Sequence, residues 1–272
     1  MQSSIQIIIS GAGAAVSELL IAKLSEVGFD GFEEEPGKLV AYCSEDVFDE
    51  PAVKELLQAQ GLSFEKTVIA PQNWNEVWER NFSSVVVDDF VAVRASFHQP
   101  IAGVVHEIVI TPKMSFGTGH HATTWMMMQQ MRKLDFAGKD VFDFGTGTGI
   151  LAILAKKLGA VNVTAIDIDE WSITNAQENF DNNDVAGIML GQAATPEGIQ
   201  GEFDVILANI NKNVLMEYMP VLAGKLKTGG KLLLSGLLAE DEQDILLKAS
   251  QNSLLYNTTS ARDKWICILM HA

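Results

Sequence analysis

Gly145, Gly147 and Gly149 fall at alternate positions in KDVFDFGTGTGILAILAKKLGA, residues 139–160. Val141 to Phe144, before them, are apolar and read as a strand, and Ile150, Leu151, Ile153, Leu154 and Leu158 begin a helix. A strand running through a glycine turn into a helix is a nucleotide-binding device, because glycine lets the backbone turn sharply and lets a ligand lie against it. The next apolar run, VNVTAIDID (161–169), ends in Asp167, 22 residues after Gly145. A carboxylate at the end of a second strand can accept hydrogen bonds from both ribose hydroxyls. Three glycines alone make only a tight turn; with the strand-ending carboxylate they point to an adenosine-type cofactor.

A further strand, GEFDVILANI (201–210), ends in Asn209, where the carboxyl end of a fourth strand faces the cofactor crevice. Asn209 there can orient an incoming nucleophile or touch the cofactor. Asn211 is the natural cap of the helix that follows, KNVLMEYMPVLAGKL. Asp143, just before the glycine turn, is expected to support that turn rather than to react.

SFGTGHHATT, residues 115–124, raises the question of a metal. His120 and His121 are adjacent and point apart on any regular element, and no third ligand lies at a recognisable spacing, so no metal is expected. The stretch reads instead as a glycine turn entering a helix, with Thr118, His120, Thr123 and Thr124 near its start. Such a start offers unpaired N–H groups and hydroxyls to a ligand, although the histidines can equally pack or cap. Met126 to Met128 are expected to fill core.

These groups need a scaffold. Beyond residue 139 strands and helices alternate, which implies a parallel sheet with crossover helices. SVVVDDFVAVRASF and VVHEIVITP read as strands ahead of it. The N-terminal 70 residues follow another plan: a strand (4–9), a helix (14–28) with Val16, Leu19, Leu20, Leu24 and Val27 on one stripe, two strands around Pro36-Gly37 (32–43), a helix (50–61) and a strand (63–70). The order β-α-β-β-α-β is the split βαβ of ferredoxin-like domains. PQNWNEVWERNF (71–82) is expected to be a linker and 83–272 the larger domain.

Composition narrows the partners. The chain has 272 residues, 47% of them apolar, and a formal net charge of −16. Residues 1–70 hold four lysines, no arginine and twelve acids, or 4 − 12 = −8. A nucleic-acid backbone as principal partner is therefore not expected, since phosphate binding needs a basic stripe; a basic partner is favoured. No run approaches the roughly eighteen apolar residues of a membrane span, and the N-terminus lacks a basic leader. The distant Cys43 and Cys267 fit a reducing compartment. A cytoplasmic protein, and a monomer, is expected.

The third glycine comes one residue earlier than in the dinucleotide fingerprint G-x-G-x-x-G. G-x-G-x-G after an acidic strand end is similar to the first motif of S-adenosylmethionine-dependent methyltransferases. WNEVWERNF, SFGTGHHATT, VFDFGTGTGILAILAKKLGA, AIDID, ILANI and LLLSGLL (232–238) occur in this order, and together they resemble the PrmA family, the bacterial methyltransferases of ribosomal protein L11. The resemblance covers nearly the whole chain and is most specific at the FGTGHHATT block. It implies a Rossmann-like class I methyltransferase domain, a doubly wound and mostly parallel α/β sheet, with a small N-terminal ferredoxin-like domain that recognises the substrate. It carries cofactor contacts onto Thr124, Gly145, Asp167 and Asn209, with Phe116 and Gly147 as neighbours, and makes the 115–124 block a pocket wall. It implies N-methylation of lysine side chains, and of the N-terminal amine, of a basic ribosomal protein. One departure is local: the family's D-P-G-L-A-F is here Thr111 to Phe116, with Lys113 in place of a glycine.

Three competing readings have discriminating features. A class I methyltransferase for another protein or a small molecule shares the glycine turn. A nucleic-acid base methyltransferase would carry N-P-P-Y or D-P-P-Y where this chain has NINK (209–212). A nicotinamide-dependent dehydrogenase is disfavoured by the glycine spacing, and a non-enzymatic acidic adaptor by the joint presence of the glycines, Asp167 and Asn209.

Overall fold

The computed structural model describes residues 3–11, 14–35, 37–69, 82–113 and 117–272. The expected linker, apart from Phe82, and Phe116 lie outside the described residues. The chain divides into two compact units, Met1–Asn81 and Phe82–Ala272. Among the described residues no helix is long and apolar enough to cross a membrane.

The first unit runs β1 (Ser4–Ser10), α1 (Ala14–Glu26), β2 (Phe29–Glu35), β3 (Lys38–Ser44), α2 (Glu50–Gln58) and β4 (Phe64–Ile69). Its strands form an antiparallel sheet of order β2-β3-β1-β4. The period of two in β1 sends Ile5, Ile7 and Ile9 into the core, where they meet Leu20 and Leu24 of α1 and Val53 and Leu57 of α2. Leu19, expected on the apolar stripe of α1, is instead 42% exposed. It lies about 100° around the helix from Leu20, off the edge of the buried face. Asp49 caps α2 by accepting from the Ala52 N–H at 3.1 Å.

The second unit opens with β5 (Val85–Val87), β6 (Val91–Ala95) and β7 (His106–Ile110), a separate three-stranded sheet in that order. SVVVDDFVAVRASF is two strands rather than one: Asp88 takes φ 51° and the Phe90 N–H closes a turn on the Val87 carbonyl at 3.0 Å, so β5 and β6 pair antiparallel.

Then follow α3 (Ala122–Met131), β8 (Asp140–Phe144), α4 (Ile150–Lys157), β9 (Asn162–Asp167), α5 (Glu170–Asn182), β10 (Ile188–Gln192), β11 (Phe203–Asn209), α6 (Lys212–Gly224), β12 (Leu226–Leu238), α7 (Glu242–Ser250), β13 (Leu255–Arg262) and β14 (Trp265–His271). They build a seven-stranded sheet of order β10-β9-β8-β11-β12-β14-β13. Its first five strands run parallel, β14 runs opposite to them, and β13, pairing antiparallel with β14, runs in their direction again.

Alternate residues of the central strands feed two cores. Val141, Val205, Leu207 and Leu233 pack on one face against Met126 to Met128 of α3 and Ile153 and Leu154 of α4. Phe142, Ile206, Ala208, Leu232 and Leu234 pack on the other against Leu215, Met219 and Leu222 of α6 and Ile245 of α7. A strand buried on both faces must be apolar along its length, as VILA in β11 is. Each fully buried Leu, Ile or Phe contributes roughly 1.5–3 kcal/mol relative to exposure. This anchoring holds the carboxyl ends of β8, β9 and β11 in one row, and strand order reverses between β8 and β11. Ligands of doubly wound sheets bind at such a reversal.

Candidate functional site

A cavity of about 480 Å³ lies across those carboxyl ends, within the range that holds a small-molecule ligand. Gly145, Gly147, Asp167 and Asn209 all line it, with Ile168, Ser172, Ala193 and Ala194 toward the β9–β10 side and Ile210, Asn211, Val214, Gly236 and Trp265 toward the other. The 115–124 block contributes His121 and Thr123.

Each part of the glycine turn has its own physical reason. The N–H groups of Gly145 and Thr146 both donate to the Ile166 carbonyl at 2.9 Å, which folds the turn against β9. Gly145 has φ +77°, and a Cβ there would stand 2.3 Å from Ile210 Cγ2. Gly149 is the N-cap of α4 at φ 79°, and a Cβ there would strike the Phe180 ring at 2.5 Å. The first glycine thus admits β11's exit loop and the third admits α5.

Asp167 closes the turn from the side. Its Oδ2 accepts from the Gly147 N–H at 2.8 Å and its Oδ1 from the Asp169 N–H at 3.0 Å. Each oxygen keeps a second lone pair for a ligand hydroxyl. Asp143, expected to support the turn, does so: it is fully buried and its Oδ2 accepts from the Thr146 hydroxyl at 2.6 Å. Burial pushes its carboxyl up to about 7; the Asp167 charge adds to this and the Thr146 hydroxyl opposes it.

Asn209 ends β11 on the cavity wall. Its Nδ2 donates to Thr124 Oγ1 at 3.0 Å, and its Oδ1 is buried with no hydrogen-bond partner. A buried amide oxygen without a donor costs on the order of 1–3 kcal/mol, and among the atoms so placed this one belongs to a residue that lines the cavity, which makes it a candidate acceptor for a ligand N–H or O–H. Thr124 itself is 1% exposed and stands behind Asn209, while Thr123 lines the cavity. Asn211 caps α6, accepting from the Val214 N–H at 3.1 Å.

The two histidines divide their work. His121 is the N-cap of α3: its Nδ1 accepts from the Thr123 N–H and pairs with the Thr123 hydroxyl at 2.7 Å. His120 lies between Thr118 Oγ1 (3.0 Å from Nδ1) and the Ser83 carbonyl (2.8 Å from Nε2), with its ring on Phe82. Across the turn, the buried Thr148 hydroxyl donates to the Gly117 carbonyl at 2.7 Å. The loop that begins at Gly117 is thereby tied to the glycine turn.

A second support escaped the sequence reading. Asn175, Asn179 and Asn183 recur every fourth residue along one face of α5 and its C-cap. Asn183 accepts from the Val109 N–H at 2.9 Å and donates to its carbonyl at 2.6 Å. Asn179 accepts from the Thr111 N–H and donates to the Thr148 carbonyl, both at 2.8 Å. Asn175 donates to the Thr111 carbonyl at 3.0 Å. The three amides bind the edge of β7 and its continuation as a neighbouring strand would, and Asn179 also reaches the glycine turn. The NxxxNxxxN spacing was the available signal. Lys113, the departure noted above, pairs with Glu178 on the same helix.

These features fit an adenosyl sulfonium cofactor: a turn slim enough for close approach, a carboxylate with spare acceptor capacity at one end, and an unpaired amide oxygen farther along. The comparisons agree. The family model described as Ribosomal protein L11 methyltransferase (PrmA) matches residues 15–272. A relative of that name from Porphyromonas gingivalis is 42% identical over 259 residues, covering 92% of this chain and 89% of its own. One from Bacteroides fragilis is 35% identical, covering 93% of each. The crystal structure of a ribosomal protein L11 methylase from Lactobacillus delbrueckii subsp. bulgaricus superposes with TM-score 0.65 at 30% identity, covering 70% of this chain and 98% of that one.

Proposed function

The chain belongs to the ribosomal protein L11 methyltransferase family, and on that premise we propose that it methylates lysine side chains, and the N-terminal amine, of ribosomal protein L11. The observation that carries this reading is the cavity across the strand ends, with Asp167 and the glycine turn at one part of its wall and the unpaired Asn209 oxygen at another. When bound, S-adenosylmethionine supplies a methyl group already activated on a sulfonium. The work left to the chain is to hold an amine in line with it at near-attack distance.

Transfer would join the amine nitrogen to that methyl, with the C–S bond electrons going to sulfur and the surplus proton to solvent. Asp167 would hold the ribose through its free lone pairs, Gly145 and Gly147 would admit the cofactor's amino-acid part, and Thr124 holds the Asn209 amide, whose Oδ1 would accept from the incoming amine. Only a neutral amine attacks. A free lysine is neutral about once in 2,500 at pH 7, a handicap of roughly 4.6 kcal/mol, whereas an α-amine is several hundred-fold better placed. The apolar wall of Ile210 and Val214 opposes charge on the amine by desolvation and so helps release the proton. No residue is assigned as general base. The first unit, with its charge of −8 over residues 1–70, docks the basic substrate protein.

Methyl incorporation into purified L11 tests the reading, with Asp167→Ala as control and mass spectrometry of intact and digested substrate to locate the methyls. An enzyme that binds the cofactor yet transfers nothing to L11 eliminates the substrate assignment.

A further inference from the structure

The far end of the cavity is aromatic. Trp265 begins β14 and pairs with Leu238 at the end of β12, which puts it in the row of strand ends that holds the site. The order β9-β8-β11-β12-β14 separates it from Asp167 by four strand spacings, roughly 19 Å, and from Asn209 by two, roughly 10 Å. Trp265 and His121 both line the cavity, and their rings meet edge-on with centroids 4.6 Å apart at 69°. His121 is immobilised as the cap of α3, so the pair forms a fixed corner. The turn and Asp167, with Ile168, Ser172, Ala193 and Ala194, lie on the β8–β10 side; the corner is on the opposite side of Asn209.

We propose that the Trp265 indole, braced by His121, seats the aliphatic stem of the acceptor lysine and is a specificity-determining residue for that substrate. The inference rests on the proposed function and deepens it. A lysine side chain is four methylenes carrying an amine; laid along an indole it buries the stem while its nitrogen reaches onward to Asn209 Oδ1. The ring has this affinity already, since the Lys264 ammonium of the same chain lies 5.6 Å from the Trp265 ring centroid. Part of the indole packs on the β14 face of the core, which fixes the orientation of the part that faces the cavity.

The test measures steady-state kinetics on purified L11 and, separately, the Kd of S-adenosylhomocysteine, for wild type, Trp265→Ala and Trp265→Phe. Trp265→Ala is expected to raise KM for L11 about 10-fold or more with kcat changed less than about 3-fold, and Trp265→Phe to recover most of the loss. The Kd of S-adenosylhomocysteine is expected to stay within about 2-fold in both. A KM for L11 that is unchanged in Trp265→Ala overturns the proposal. So does a loss of S-adenosylhomocysteine affinity that accounts for the activity loss, or a Trp265→Phe variant as impaired as Trp265→Ala. A wild-type enzyme that binds S-adenosylhomocysteine but leaves L11 unmodified removes the functional reading and this inference with it, an outcome distinct from the others because wild type itself is then inactive.

Discussion

The Asp167 carboxylate and the Gly147 N–H are joined by a 2.8 Å hydrogen bond between β9 and the turn after β8. One side chain therefore braces the loop and, on the proposed function, offers oxygens to the cofactor. Asp167→Asn keeps one acceptor oxygen and loses the charge, and Asp167→Ala loses both functions. With charged hydrogen bonds worth roughly 1.5–3 kcal/mol each, Asp167→Ala is expected to weaken cofactor binding about 100-fold or more, and Asp167→Asn about 10-fold. Calorimetric titration with S-adenosylhomocysteine reads both.

Gly145→Ala and Gly138→Ala separate steric clash from backbone strain. Both glycines have positive φ, +77° and +70°, but a Cβ at Gly138 meets nothing within 4 Å, whereas one at Gly145 meets Ile210. Each substitution costs about 1–2 kcal/mol for the left-handed backbone, and Gly145→Ala roughly 1–3 kcal/mol more for the clash. Denaturant unfolding reads the difference, and cofactor affinity is expected to fall only in Gly145→Ala.

The buried amide of Asn209 predicts a kinetic effect. Asn209→Ala removes the unpaired acceptor and leaves the buried Thr124 hydroxyl without its donor. A fall in kcat of about 100-fold is expected, corresponding to about 2.7 kcal/mol of lost transition-state alignment. Unaltered single-turnover rates in that variant would remove Asn209 from the mechanism.

Asp143 makes stability depend on pH. Its carboxyl titrates near 7 in the folded protein against an ordinary value of 3.8. The native state therefore holds a proton that the unfolded chain has already lost. The contribution is fully present below the unfolded value and is lost as pH rises toward 7, at up to about 1.4 kcal/mol per pH unit. Asp143→Asn keeps an acceptor for Thr146 and carries no titrating group. It is expected to flatten that slope between about pH 4 and 7 in unfolding measurements across the range.

The asparagine ladder predicts a contrast along one helix. Asn179→Ala strands the buried Thr148 carbonyl, at roughly 1–3 kcal/mol, and the half-buried Thr111 N–H, at somewhat less. Asn182→Ala loses one exposed contact to the Thr111 hydroxyl at 3.1 Å and is expected to cost under about 1 kcal/mol. Unfolding of Phe82–Ala272 followed by tryptophan fluorescence reads the difference.

That the glycine turn, Asp167 and Asn209 share one cavity wall was legible in the sequence because each stands at a strand end, where a local pattern already determines what faces the crevice. The capping role of Asn211 and the buried methionines of α3 were legible for the same local reason. Trp265 was not: a tryptophan in WICILM reads as core, and only the antiparallel return of β14 beside β12 brings it to the cavity. The break at Asp88 was hidden because a non-glycine residue at φ 51° leaves no mark in a β-branched run. The asparagines of α5 carried only their spacing as a signal, since the main-chain groups of β7 and its continuation that they bind lie more than sixty residues away.

Those three asparagines hydrogen-bond main chain on the strand they hold, so their grip does not depend on what side chains Val109 and Thr111 present. Substitution can proceed freely on one side of such a clasp and hardly at all on the other: the gripped segment is open to rewriting, and the burden of constancy falls on the helix.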